Sequence, residues 1–457
     1  MQTESNSRCW RITTAQQYSW LAALALLCVL VTNGCRRGRG PGASTPVDEV
    51  SVDSSGVTVH EVEYPLDRVR DWAGWRGPSG DGIAAAPTAP THWSADDGVR
   101  WMSDVPGRGH GSPIVVGDTV LLATAIEAEA RQQLLAYNRS SGDLLWQRTI
   151  HQGDFPSASE VHKKGSHANS TLVSDGQQAF IAFFNNRRVT ATAVDLAGET
   201  QWQTDLGGFS SKFGYAPSPV LYKSLVIFAV DNWGGGYMVA VDAKSGTVAW
   251  RVARPAKNSH SSPLIAQVSG RDQLLICGCD EVASYDPASG EQLWSVAGTT
   301  ETTCGTMVAT ADRVFASGGY PGKQTLCLSG QGEKLWENRV SLYEPSLLTV
   351  NDLLFGVTDG GIAYCWSVAD GSEKWKKRLG GNFSASPAYC NGNLYVSDLG
   401  GKTYVFAASG EGYEEVSVNR LGTDCYSSPA IVDGEIFLRV GFSDGPNRQE
   451  KLVAIGG

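Results

Sequence analysis

Ala240-Val241-Asp242-Ala243-Lys244-Ser245-Gly246-Thr247-Val248-Ala249-Trp250 is the stretch from which the fold can be read. Asp242 can accept turn N–H bonds, Gly246 supplies a backbone position free to turn, and Trp250 is a large aromatic suited to packing between layers. The pattern returns at Ala136-Tyr137-Asn138-Arg139-Ser140-Ser141-Gly142-Asp143-Leu144-Leu145-Trp146 and at Ser284-Tyr285-Asp286-Pro287-Ala288-Ser289-Gly290-Glu291-Gln292-Leu293-Trp294. Shorter versions end at Trp202, Trp336 and Trp375, and a degraded one passes through Gly412 to Val416. The 53 glycines and 14 tryptophans of the chain suit a fold that repeats a tight turn and a docked aromatic.

A second register runs beside the first. Ser or Thr opens a short apolar run at Ser112, Ser170, Ser218, Ser262, Thr306, Ser346, Ser386 and Ser428, at intervals, by subtraction, of 58, 48, 44, 44, 40, 40 and 42 residues. Units of about 40–50 residues are the size of a four-stranded propeller blade. In one unit, 387–390, 394–397, 403–407 and 415–418 read as strands separated by turns such as Asn391-Gly392. The last unit, 428–457, supplies only three strands, while an orphan strand, Val99-Arg100-Trp101-Met102, precedes the first complete unit. The expectation is an all-β, eight-bladed β-propeller of four-stranded antiparallel blades, closed by that N-terminal strand so that no edge stays open. Seven blades, with one weak unit an insertion, is the alternative.

The A-x-D-x-x-S-G-x-x-x-W repeat resembles the tryptophan-docking motif of the pyrroloquinoline quinone (PQQ)-like β-propellers, over about residues 71–457. The resemblance implies two branches. One holds quinone-dependent dehydrogenases; the other holds lipoprotein scaffolds, such as the propeller subunit of the outer-membrane β-barrel assembly machine. The dehydrogenases typically carry an adjacent Cys-Cys disulfide beside the cofactor and a calcium-ligating Glu, Asn and Asp. No Cys-Cys pair occurs here, and the calcium ligands match no motif. Nucleophile elbow, phosphate loop and metalloprotease helix are missing from the sequence too. The expected function is a non-catalytic binding scaffold, with a PQQ-linked or metal-dependent oxidoreductase as the alternative. No cofactor is predicted; PQQ and a metal ion stay open.

The chain has 457 residues, 42% hydrophobic and 18% charged, with a net charge of -10, which argues against wholesale nucleic-acid binding. Arg8 and Arg11 precede an apolar run over 21–31, too short to span a bilayer as a helix and suited to a signal peptide over 1–34. The run ends in Gly34-Cys35, which resembles a bacterial lipobox, making Cys35 the expected lipidation site; ordinary cleavage nearby, leaving a soluble exported protein, is the alternative. Residues 35–70 read as a flexible tether whose Arg36, Arg37 and Arg39 face anionic headgroups. The expected location is the periplasmic side of a bacterial membrane.

Just before the Ser register stand His110, His167, Tyr215, His260, Cys304, Tyr343, Phe383 and Tyr426, with one-residue slips at His167, Tyr215, Tyr343 and Phe383. They are expected as a ring around one mouth of the central channel, either as a pocket or as plain rim packing. Arg108, Lys164, Lys212 and Lys257 lie a few positions upstream and would make one side positive, suited to an anionic ligand or an envelope protein. His110, His167, His260 and Cys304 are metal-ligand types but come from different blades. A long linker, 151–169, falls on the same face. The segment 71–82, with Trp72 and Trp75, is expected to pack on the propeller, at a channel mouth or over a blade edge. Seven cysteines follow Cys35, an odd number that leaves at least one thiol without an internal partner.

Overall fold

The computed structural model describes residues 56–445 and 447–457. The signal segment, Cys35 and the tether up to residue 55 lie outside the described residues. Eight four-stranded sheets follow one another around a ring. Blade 1 spans 114–152, blade 2 173–208, blade 3 220–254, blade 4 264–297, blade 5 308–338, blade 6 348–378 and blade 7 388–420. Blade 8 takes three strands from 430–456 and its outermost from Val99–Val105, which pairs antiparallel with Asn447–Gly456. The seven-blade alternative is thereby overturned.

The burial pattern follows from sheets covered on both faces. The second strand of blade 3, Leu225–Val230, is buried throughout, whereas the fourth strand of blade 1, Leu144–Gln152, alternates at the rim. The repeated tryptophans stand on the fourth strands and dock on the next blade. Trp146 Nε1 donates to Leu196 O at 2.9 Å, Trp202 to Ala243 O at 2.9 Å, Trp250 to Pro287 O at 3.2 Å and Trp336 to Val368 O at 3.0 Å. Trp101 does the same to Arg139 O at 3.0 Å, so the last blade docks on the first. Gly246 shows why the motif needs glycine: its φ is 71°, and an added Cβ would lie 2.6 Å from the Trp202 ring. Trp250 is buried, but Trp146 and Trp294 are half-buried, because the outermost strand leaves one side of the indole toward solvent.

Blade 7 has no tryptophan on its fourth strand, Glu415–Arg420. The segment 84–93 fills that seam. Trp93 is 5% exposed and its N–H donates to Asn419 Oδ1 at 2.9 Å, while Asn419 Nδ2 returns a bond to Thr91 O. Ala84, Ala86 and Trp93 join one apolar cluster with Val405 of blade 7 and Phe437 of blade 8. Residues 57–66, counted in the tether on sequence, also lie along the wheel. Ser224 N–H donates to His60 O, Val57 and Val59 pack on blades 3 and 4, and Tyr64 donates to Lys223 O.

Two features shape the channel. The first is a chain of hydroxyls just before the innermost strands. Ser112 N–H donates to Thr171 Oγ1, Thr171 to Ser218, Ser218 to Ser262, Thr306 to Ser346, Ser346 to Ser386, Ser386 to Ser428 and Ser428 to Ser112, at 2.9–3.0 Å. In blade 2 the register residue is therefore Thr171 rather than Ser170. The second is a plug, 71–84. Trp72 exchanges backbone bonds with Val115 of blade 1, Ala73 O accepts from Ser174 of blade 2, Trp75 Nε1 donates to Thr306 Oγ1 of blade 5, Arg76 to Leu347 O beside blade 6, and Ala84 N–H to Tyr389 O of blade 7. The segment 71–82, expected at a mouth or over an edge, packs into the channel, and the stretch that follows it, 84–93, covers the weak seam.

Candidate functional site

The loops that join each fourth strand to the next first strand surround a cavity of about 540 Å³. Trp75 forms its floor. It also lines a second cavity, of about 480 Å³, toward the other end of the first strands, so its indole separates the two.

The mouth contains His110, His260, Cys304, Tyr343, Tyr426 and Lys164 of the residues expected there. The His110 ring stacks on Tyr426, with centroids 4.1 Å apart and 3° between planes. Tyr215 and Phe383 are not in it. They are 5% and 1% exposed and belong to apolar clusters between blades, while their neighbours Ala216 and Ser384 take the lining positions. Along extended chain successive side chains point opposite ways, so a one-residue slip sends an aromatic into the core. His167 is held aside by Phe155, at 4.3 Å between ring centroids, and its carbonyl accepts from Gln132; Asn169 reaches the cavity instead.

Two of the four expected cations are paired with acids. Lys257 pairs with Asp280 at 2.5 Å, and Lys164 Nζ lies 3.6 Å from Glu344. Lys212 sits over the Trp233 ring at 5.6 Å, and Arg108 Nη2 lies 3.5 Å from His110 Nε2. The Lys164–Glu344 contact makes the 151–169 linker a strap, carrying a cation from between blades 1 and 2 to an acid between blades 5 and 6. Glu344 also accepts from the Ser384 hydroxyl. Beside it, Asp359 accepts the N–H groups of Tyr343 and Glu344 at 2.8 and 2.9 Å. Sequence reading missed Phe213, Tyr320, Glu344 and Asp359, which line the mouth beside Trp75 of the plug and His162 of the long linker. Glu344 and Asp359 stand immediately after Tyr343 and in a Thr-Asp-Gly turn, positions that a full scan of each loop would have raised.

Burial sets the chemistry. It lowers His260 to about 4, and burial with the charges of Arg108, Arg439 and Arg448 holds His110 well below its ordinary value. Burial, reinforced by Glu344 and Asp359, raises the Cys304 thiol well above its usual range, and burial raises Asp359 itself. At neutral pH the site offers neutral imidazoles and a protonated thiol, which is a surface for hydrogen bonding rather than for thiolate attack. Among the described residues no three His, Cys, Asp or Glu side chains come together as a group that could hold a metal ion. His110, His167, His260 and Cys304 therefore do not form a metal centre here. The seven cysteines that follow Cys35 are all free thiols, and Cys279 sits in a turn at φ 60°.

The family described as outer membrane protein assembly factor BamB matches this sequence over residues 81–213 and 191–377, more than half of the chain. The chain belongs to that family. BamB from Moraxella catarrhalis has a similar structure, with a TM-score of 0.58 at 15% identity, covering 78% of this chain and 99% of that one. A europium-containing methanol dehydrogenase matches with a TM-score of 0.62 at 10% identity, over 84% of this chain and 98% of that one. The quinohemoprotein alcohol dehydrogenase from Comamonas testosteroni matches with 0.64 at 11% identity, over 85% and 81%. At such identities the likeness establishes the shared propeller, and both branches of the PQQ-like architecture share it. No curated relative matches the sequence.

Proposed function

We propose that this BamB-family propeller is a non-catalytic scaffold of the bacterial envelope, lipid-anchored through Cys35, that binds an envelope protein at the mouth carrying His110, His260 and Tyr426. The observation that carries this reading is how the channel is occupied. Residues 71–84 of the chain itself fill it, and above Trp75 a cavity of about 540 Å³ lined by polar and aromatic side chains stays open. Its neutral histidines, tyrosines and exposed Tyr320 suit recognition of a peptide segment. An anionic ligand remains a narrower form of the same reading, with Arg108 beside His110 as a cation without an acidic partner at the mouth among the described residues. The test is capture from solubilised envelope by the wild type, a His110→Ala/Tyr426→Ala variant and an Arg68→Ala control at the other cavity. Loss in the first variant alone supports the proposal; loss in the control alone moves the partner to the other end.

The second reading is a quinone-linked or metal-dependent oxidoreductase. The residues fit it poorly: the sequence has no Cys-Cys pair, and the described residues hold no converging metal ligands. Visible absorbance and metal analysis of the purified protein test it directly. A stoichiometric chromophore or metal would replace the scaffold reading.

A further inference from the structure

The plug carries a cation onto the axis of the wheel. Arg76 is 3% exposed. Its Nη2 donates to Asp81 O at 2.8 Å and to Leu347 O at 2.7 Å. Its Nε and Nη1 have no hydrogen-bond partner. Asp81 acts on it only through space, having turned one carboxylate oxygen to the Ile83 N–H at 2.9 Å. Burial lowers Arg76 to about 10, so the guanidinium is still charged at neutral pH. A buried, unpaired cation with idle donors is among the costliest arrangements a fold can contain.

Arg76 lines a small cavity of about 10 Å³ together with Trp72, Trp75, Ser112, Ser386 and Ser428. That is room for one water-sized sphere. Ser112 and Ser428 already accept backbone N–H bonds, from Ser428 and Ser386, which leaves each O–H free to donate. Arg76, Ser112 and Ser428 thus line a space of single-atom size beside a guanidinium that no carboxylate contacts directly. A water accepts only two hydrogen bonds and brings no charge. A monatomic anion accepts from every side and neutralises the guanidinium. We infer that Arg76, Ser112 and Ser428 form a binding site for a small monovalent anion of the chloride class, buried where the plug crosses the hydroxyl ring.

The test is thermal unfolding of the whole protein at fixed ionic strength in sodium chloride, bromide, gluconate or sulfate, with anomalous diffraction from crystals grown in bromide. Chloride and bromide are expected to raise the melting temperature in a saturable way, while the larger anions do not. Arg76→Gln is expected to abolish the difference, and bromide to give an anomalous peak beside Arg76. Equal melting in all four salts with no peak would make the occupant a water and overturn the inference. A peak seen only at molar bromide, with melting unmoved, is an adventitious ion only and overturns it too. If Arg76→Gln does not fold, the wild-type peak and salt series decide alone.

Discussion

Ser428 donates its backbone N–H to the hydroxyl of Ser112 at 2.9 Å, joining residues 316 positions apart in the chain. The bond links the residues just before the innermost strands of the last and first blades and completes the same pattern that links neighbours elsewhere. Ser112→Ala leaves the buried Ser428 N–H without its acceptor, so about 1–3 kcal/mol of stability should be lost in urea unfolding. Ser140→Ala, at an exposed turn, should change it by less than about 0.5 kcal/mol.

The docked tryptophans should not be equivalent. Trp250 is 7% exposed, and Trp250→Ala should cost roughly 3–5 kcal/mol. Trp146 and Trp294 leave part of the indole wet, so the same change there should cost about half as much. Equal losses at all three in chemical denaturation would contradict the burial difference.

His260 gives the stability a pH signature. Its folded value is lowered to about 4, below an unfolded value near 6.5. Between those values the unfolded chain binds the extra proton, so stability rises with pH. The contribution is full above pH 6.5 and is lost as pH falls toward 4, by up to ~3 kcal/mol. The measurement is the difference in unfolding free energy between wild type and His260→Gln across pH 4–7.5. It should narrow on acidification; a flat difference refutes the assignment.

The strap should loosen when its ion pair is cut. Lys164 is exposed, so the pair is worth at most about 1 kcal/mol. Glu344→Gln should therefore speed trypsin cleavage at Lys163 and Lys164 by roughly fivefold or less, with global unfolding unchanged. Limited proteolysis read by mass spectrometry checks this.

Lipidation is tested at the mature N-terminus. Detergent-phase partitioning and mass spectrometry should find a diacylated chain beginning at Cys35, and Cys35→Ser should be released from membranes or stay unprocessed. A mature, unlipidated start elsewhere would refute the anchor.

The blades were legible because their signals are local. The Asp, Gly and Trp of each repeat lie within eleven residues, and Gly246 meets Trp202 in the same way that Gly290 meets Trp250. Closure by Val99–Val105 was legible from counting strands. The plug was only half legible, because 71–84 has no periodicity and its partners Val115, Thr306 and Leu347 lie far along the chain. Of the residues expected at the mouth, His110, His260, Cys304, Tyr343 and Tyr426 line the cavity. Alternation put Tyr215 and Phe383 into the core and Ala216 and Ser384 on the rim, while Tyr343, slipped in the same way, still lines the mouth. Charges misled because pairing partners such as Glu344 and Asp280 are set by tertiary structure.

The strand Val99–Val105 leaves the ribosome before any other strand of the wheel, and its partner Asn447–Gly456 leaves last. A ring joined in this way cannot be completed during synthesis. Until the final residues arrive, the earliest strand waits with its hydrogen-bonding edge unpaired. Long-range pairing of that kind is slow and leaves edges open to wrong partners. Closure of the wheel therefore waits on the last strand, whose Leu452, Val453, Ala454 and Ile455 complete the core of the final blade.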